Sequence, residues 1–413
     1  MKNILLYIAL LSINQLIAQD VNIPNAQFKN ILVNGSCVDT NLDGAPDADA
    51  DINNDGEIQI TEAEAVIGLY VNNQGISDLT GIEAFINLEF FDCSQNFLGT
   101  MDISQNTKLK ELDCSNANLS AINLNTNTKL VKVVCRGNNL TSINLNTLTD
   151  LVHLTCSNNN ISNTINIDNN ILLELFNVAE NNLTSLNTSQ NVNLKSVELQ
   201  LNQVGSLDLI NNPLLEYIGV QSNLLTSVNL SNNVYPNLIN LNSSFNLLTE
   251  LDLSTCTNLK TLFCGNNPNL ENLNVNNNYN PGNLNYNFSS CPNLTFVCSD
   301  AGKMAYIQDL VDSYGYTNTT VSSNCNLSVD NIDNSLTFST FPNPVLNILN
   351  IDSKEDITTF SIYNINGKLV KRKALNALKK KVSIDVNYLS SGVYIITIQS
   401  VNFSKETLKF IKL

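Results

Sequence analysis

Between residues 66 and 298 the chain repeats one arrangement of apolar and polar positions, L-x-x-L-x-C-x-x-N-x-L, with other apolar residues admitted at the leucine and cysteine positions. Leu130, Val133, Cys135, Asn138 and Leu140 make one complete copy, and Cys93, Cys114, Cys135 and Cys156 stand 21 residues apart. The frame recurs from Val66, Leu88, Leu109, Leu130, Leu151, Leu173, Leu194, Leu215, Leu238 and Leu259, which predicts about ten coils of roughly 21 residues each. Within a copy, alternation puts the fourth and sixth positions on one face of a short strand, pointing inward, so that stacked coils share a continuous core. Val178, Leu199 and Val220 at the sixth position show that the site asks only for a small or medium apolar group. The ninth position holds Asn96, Asn138, Asn159, Asn181, Asn202, Asn223, Asn246 and Asn267, whose amides are expected to turn the chain and satisfy buried backbone as a ladder. Ala117 interrupts it and leaves a defect that water or a neighbour must fill. The second half of each copy carries a further apolar pair, such as Ile143 and Leu145 or Val228 and Leu230, among Asn, Ser and Thr. That composition predicts an extended or 3₁₀-like back wall rather than helices.

This frame resembles the leucine-rich-repeat family. The fold class expected is mainly β: a leucine-rich-repeat solenoid plus a small C-terminal β-sandwich. Terminal coils expose apolar faces and need caps. Residues 19–65 are read as the N-terminal cap, 66–298 as the solenoid and 299–325 as the C-terminal cap. After Asn276 the frame fails in an Asn-rich insertion, residues 276–283, and is read as resuming at Leu294, Phe296 and Cys298. Residues 304–314 form an amphipathic helix in this reading, with Ala305, Ile307, Leu310 and Val311 available to cover the last coil. At the other end, Lys2, the apolar run of residues 4–11 and Ala18 read as a signal peptide over 1–18. No later segment approaches the length of a membrane span.

The chain has 413 residues, 43% of them hydrophobic, and a net charge of -16, which argues against nucleic acid as a partner. The charge is uneven: from Ser335 onward there are 11 Lys and Arg against 5 Asp and Glu, so an acidic body carries a basic tail domain. The ladder cysteines Cys93, Cys114, Cys135, Cys156 and Cys264 are read as buried thiols acting as small hydrophobes. Cys298 and Cys325, bracketing the capping helix, are the best disulfide candidates, and Cys256 with Cys291 is a weaker one. Residues 51–62 read D-I-N-N-D-G-E-I-Q-I-T-E and fit the EF-hand calcium loop, with Asp51, Asn53, Asp55, Glu57 and Glu62 as ligands and Gly56 at the turn. A structural calcium is the cofactor this implies; an acidic loop that only turns and caps is the plainer reading. A second, incomplete match begins at Asp39, where an ion would need Asp47, Asp49 or Asp51. The single histidine, His153, lies in an outward slot, and no G-x-S-x-G, H-E-x-x-H or phosphate loop is present, so no catalytic residue is assigned and an enzyme is not expected.

Past the linker, residues 326–338, strand-like segments 346–351, 357–363, 382–386, 393–398 and 407–411 alternate with turn signals such as Asn366-Gly367. F-P-N-P at 341–344, Y-N-I-N-G-K at 363–368, L-S-S-G-V-Y at 389–394 and K-F-I-K-L at 409–413 resemble the type IX secretion sorting domain of Bacteroidetes, over residues 339–413. The resemblance implies recognition by the type IX machinery and residence at the outer cell surface or outside the cell. Likewise I-S-D-L-T-G-I-E at 76–83, after the calcium-like loop, resembles the entry to internalin-like repeats, which implies adhesion or ligand recognition. The function expected is therefore an exported binding protein, with a protein or glycan on the strand face formed by Tyr70, Phe90, Asp92, Glu111, Asp113, Lys132, Arg136, His153, Glu198, Tyr217 and Phe263. The alternatives are a passive surface-layer component and, further off, a polysaccharide-acting enzyme.

Overall fold

The computed structural model describes residues 19–230, 233–278, 282–325, 338–365, 367–401 and 405–413. The signal peptide, residues 326–337 of the linker, residues 279–281 of the Asn-rich insertion and Asn366 of the expected turn lie outside the described residues. The chain divides into two compact units, Met1–Cys325 and Asn326–Leu413.

In the first unit every coil contributes a three-residue strand to an 11-stranded parallel sheet that runs from Gly68–Tyr70 to Asn285–Asn287. The middle residue of each strand, from Leu69 through Phe91, Leu112 and Val133 to Leu262 and Tyr286, is buried, and the cysteines of the sixth frame position are buried beneath them. That is one front strand more than the frame predicts. The last, Asn285–Asn287, is hidden in the sequence because Tyr286 and Phe288 stand where leucine and cysteine stand elsewhere. Leu294, Phe296 and Cys298 are accordingly not a resumption of the frame: Phe296–Ser299 pairs with Asn272–Val275 in the back wall. The back wall is extended, in short parallel pairs such as Ser206–Asp208 with Ser227–Asn229. The one 3₁₀ segment described within the coils is Ile82–Ala84, near their start.

Each ladder asparagine holds four or more backbone groups across two coils. Asn159 accepts from the Leu140 N–H at 3.0 Å and donates to the carbonyls of Cys135 at 3.0 Å and of Cys156 and Ser157 at 3.2 Å, and the other ladder members repeat the pattern. Where Ala117 interrupts it, the defect is filled by backbone: the N–H of Leu98 turns to the Ala117 carbonyl at 3.0 Å. A second ladder, on the opposite turn, was not anticipated. Asn106, Asn127, Asn170, Asn191 and Asn212 are fully buried, and each donates to two carbonyls of the preceding coil, as Asn127 does to Ile103 and Asn106 at 2.9 Å. Cys256 occupies that turn and Cys291 the first-ladder turn, on opposite sides of the coil. They are free and buried, so this weaker pairing is not formed. Burial pushes the Cys37 and Cys256 thiols up to about 12 and raises those of Cys93, Cys114 and Cys264 strongly, which suits inert core groups.

Both ends are closed. On the N-terminal side the helix Ala26–Asn34, capped by the Asn25 side chain on the Phe28 N–H, buries Phe28 and Leu32. The adjoining residues pair antiparallel with the first strand, the Tyr70 N–H donating to the Cys37 carbonyl at 2.7 Å. On the C-terminal side the helix Met304–Ser313 covers the last coil with Ile307 and Val311, Leu310 being half-buried; Ala305 points outward instead, because its place on the helix faces solvent. The open edge of the last front strand is met by two tyrosine hydroxyls. Tyr306 Oη accepts from the Tyr286 N–H at 2.9 Å, and Tyr316 Oη accepts from the Cys291 N–H at 2.7 Å while donating to the Phe288 carbonyl at 2.9 Å. Cys298 and Cys325 are joined, with Cα atoms 5.2 Å apart, and tie the cap to the back wall.

The second unit is one five-stranded antiparallel sheet wrapped on its own core of Phe338, Leu349, Ile351, Phe360, Ile362, Ile396, Ile398 and Phe410. Two of the separate strands expected are one long strand, Ile348–Asn364, whose register shifts between Asp352 and Ile357, as an irregular ladder does where a strand bends. Its partner Leu369–Asp385 is equally long, and the stretch before Val382 carries five lysines and an arginine, so alternation is lost in the sequence. The first and last landmarks meet: Asn343 donates to the Lys409 carbonyl at 3.0 Å and accepts from the Ile411 N–H at 2.9 Å.

Removing either tyrosine hydroxyl leaves a strand-edge N–H without its partner, at a cost of about 1–2 kcal/mol. Tyr306→Phe and Tyr316→Phe are therefore each expected to lower the unfolding free energy of the solenoid by that amount, read as a lower urea midpoint. An unchanged midpoint in both would show that the hydroxyls do not close the edge.

Candidate functional site

Two outward rows flank the buried middle row of the front sheet. The first positions of successive strands align Phe90, Glu111, Lys132 and His153. The third positions align Tyr70, Asp92 and Asp113. Further along, Tyr217 stands in the first row and Glu198 and Phe263 in the third. All of these side chains are half-buried, held by a backbone that the ladders and the core fix from behind. Arg136 is the exception. It follows the strand Lys132–Val134, lies in the turn and is exposed, because the strand ends two residues before it.

The structure brings six of the predicted residues together. Tyr70, Phe90, Asp92, Glu111, Asp113 and Lys132 line one hollow of about 290 Å³, with Phe91 and Leu112 behind them and Gly44 at its edge. Gly44 was not anticipated. It comes from residues 39–44, where Asp39 draws the chain round by accepting from the N–H groups of Leu42 at 2.7 Å and Gly44 at 2.8 Å, so the incomplete loop of the cap walls the first strands. Within the hollow Lys132 Nζ pairs with Glu111 at 3.1 Å. Asp92 accepts from the Ser94 N–H and Asp113 from the Ser115 N–H, each at 2.9 Å. Burial raises the Asp92 carboxyl above the usual carboxylate range, and the charge of Asp113 adds to the rise against the bonds from Ser94. The Tyr70 phenol is raised by burial and then by the carboxylates around it, Asp39 and Glu111 foremost.

His153 sits past this hollow, its Nε2 3.1 Å from Thr155 Oγ1, and burial followed by the charge of Lys132 lowers its pKa. The Thr155 hydroxyl, two residues along the same strand, is its side-chain hydrogen-bond partner. Tyr217 is a separate feature. A side chain at Gly219 would meet the Tyr217 hydroxyl at 3.1 Å and the Gln200 amide oxygen at 3.3 Å, so Gly219 is what lets the ring lie across the sheet beside Glu198. Phe263 is at the far end, and the eleven residues predicted are not one site.

The calcium-like loop has its turn at Gly56, with φ +88°. Asp51 accepts from Asp55 and Gly56, Asn53 from Asp55, and Asp55 from Glu57, while Glu62 folds back to accept from Asn53 at 3.1 Å and Gln59 at 2.9 Å. Glu57 is turned away and pairs with Lys29 at 2.5 Å, so its carboxylate is not a ligand here: its place in the loop offers a backbone carbonyl. Among the described residues no group of three or more His, Cys, Asp or Glu side chains converges as a metal cage.

The coils define a leucine-rich-repeat solenoid, capped at both ends, with an outward strand face as its most differentiated surface and a separate antiparallel β-domain after it. Residues 339–413 match the family model of the secretion system C-terminal sorting domain, which marks the chain for export to the cell surface or beyond it. No curated protein matches the chain. Among solved structures it is similar to the functional domain of InlJ from Listeria monocytogenes, which includes a cysteine ladder, at 19% identity over 86% of this chain and 93% of that one, TM-score 0.43. An internalin, inlF, of the same organism is 18% identical over 74% of this chain and 98% of its own, TM-score 0.47. YopM from Yersinia enterocolitica is 23% identical over 52% and 44%, TM-score 0.43. No helix of the described residues is long and apolar enough to cross a membrane.

A carboxyl raised on folding costs stability at neutral pH, where it is ionised in both states, and the cost fades as pH falls until both states are protonated, below the ordinary value of 3.8. Asp92→Asn is thus expected to melt higher than the parent chain at pH 7, with the difference closing near pH 3. Scanning calorimetry across that range checks it, and a variant less stable at pH 7 would contradict the assignment.

Proposed function

We propose that the chain is an exported binding protein rather than an enzyme, and that its ligand is a protein seated on the strand face. The observation that carries this is the in-register array of half-buried aromatic and charged side chains on a backbone fixed from behind, opening into a hollow at the capped end. Rigid, pre-formed side chains of this kind lose little entropy on binding. A mixture of Tyr, Phe, Asp and Lys suits a protein surface. In this reading the sorting domain delivers the solenoid to the place where the partner is met.

Probing arrays of surface proteins and of glycans with the full chain tests the proposal. A protein hit weakened at least tenfold by Tyr217→Ala or Phe263→Ala is the expected result. Binding that ignores both changes, or that is confined to glycans, would overturn it.

We further propose that residues 51–62 hold a structural calcium ion, through side-chain oxygens of Asp51, Asn53, Asp55 and Glu62 and the carbonyl of residue 57. The support is the oxygen set and the loop's turn at Gly56. Chelation is expected to lower the melting temperature by several degrees and calcium to restore it, since an ion bound only to the folded cap stabilises it by mass action. No heat on calcium titration, with melting unchanged by chelator, would end the idea.

A further inference from the structure

The hollow at the capped end of the strand face is unbalanced in charge. Lys132 and Glu111 answer each other across adjacent strands. Asp92 and Asp113 stand directly opposite one another in register, and neither forms an ion pair among the described residues. Each accepts from the serine two residues ahead, Ser94 or Ser115, a local bond that brings no positive charge to either carboxylate. Neighbouring strands are about 4.8 Å apart, so two like charges are held close on a surface that burial has partly dried. Beside them are two aromatic side chains, Tyr70 in the row of the carboxylates and Phe90 in the adjacent row.

We infer that this hollow is a socket for the cationic side chain of a lysine or arginine presented by a protein partner. The two carboxylates receive the charge. The Tyr70 and Phe90 rings take the aliphatic stem and face the cation, an arrangement that aromatic quadrupoles favour. A volume of about 290 Å³ open to solvent admits a long side chain and little more. An anionic group is disfavoured by the surplus of carboxylates, and a bare metal ion would leave the aromatic walls without a role. The inference rests on the strand-face reading above and sharpens it: the partner must offer a basic side chain at the end of its footprint nearest the N-terminal cap.

The test uses the full chain and four probes: acetyl-Gly-Arg-Gly-amide, acetyl-Gly-Lys-Gly-amide, the same peptide with uncharged norleucine at the centre, and spermidine. Binding is followed by calorimetry or by NMR shifts at low salt. The basic peptides are expected to bind at least tenfold better than the norleucine peptide, and to weaken as salt screens the carboxylates. Asp92→Asn and Asp113→Asn should each lose tenfold or more while melting no lower than the parent, and Glu250→Gln, exposed on the back wall, should leave peptide binding unchanged. Equal binding of the norleucine peptide, retained binding in both asparagine variants, or spermidine binding as tightly as the peptides would overturn the inference. A strand-face partner that depends on Tyr217 but ignores both asparagine variants would sink the socket and leave the wider reading standing. Peptide binding without any partner sensitive to Tyr217→Ala would do the reverse.

Discussion

Every coil must reverse direction twice in the dry interior of a stack, and each reversal strands backbone N–H and C=O groups away from water. The fold depends on how those groups are met. At the front turn an asparagine amide accepts one N–H from the coil before and donates to carbonyls of both coils, as Asn202 does to Val178 and Leu199 while receiving Leu183. At the back turn the second ladder serves the carbonyls alone. An orphaned buried group costs about 1–3 kcal/mol, so a turn without such a residue would cancel much of what a coil gains by burying its leucines. The residue before each front amide joins the same arrangement by taking positive φ: Gln95, Gly137, Asn158, Glu180, Leu201, Ser222, Phe245 and Asn266 all do so, as does Asn116 before the interrupting Ala117. Leu201 and Phe245 are poorly suited to that conformation and are accepted there, which shows how firmly the ladder dictates the backbone.

Stability in such a stack comes from contacts between neighbours, so the ends carry a burden the middle does not. The two caps solve it by different chemistry. The N-terminal cap supplies real backbone, pairing with Gly68–Tyr70 and closing the edge as another strand would. The C-terminal cap supplies tyrosine hydroxyls, each of which can both accept and donate and so imitates one peptide unit of a missing coil. Burial pushes the Tyr316 hydroxyl up to about 12, which keeps it protonated and able to donate. Lys303 adds the same service on the back wall, donating to the Val275 carbonyl and to Asn277 with Asp300 as its counter-ion.

The repeat was legible in the sequence because its core positions tolerate few residue types: the cysteines and leucines set the period, and the front strands fall two residues after each predicted start. The back ladder was equally periodic from Asn106 to Asn127 and from Asn170 to Asn212, but Leu148, Tyr235 and Cys256 interrupt it, and asparagine is too common in this chain for its spacing to stand out. The last front strand was lost to Tyr286 and Phe288, which stand in the leucine and cysteine positions after the Asn-rich insertion has broken the spacing. Of the candidate site, the strand slots were readable from alternation, but nothing in alternation tells which slots share a hollow. That was decided by residues 39–44, a loop legible as a turn and not as a wall, since its position depends on the cap docking on the first strand. Arg136 lies two residues past the strand's end, where period-two alternation no longer holds because the strand is only three residues long.

Because the ladders and the inward row hold the coil, the outward slots contribute little to the fold and are free to vary in kind. Most do so without cost: Lys110 with Glu89, Lys132 with Glu111 and Lys195 with Glu174 set opposite charges on adjacent coils, where an exposed pair is worth little but does no harm. Asp92 and Asp113 break that habit. They are like charges in register, partly buried, without a cation of their own, and an asparagine in either place would serve the same backbone bond from the neighbouring serine. Two like charges held in register and partly buried on this face are a cost that folding does not require. Such a cost is retained where something outside the chain relieves it.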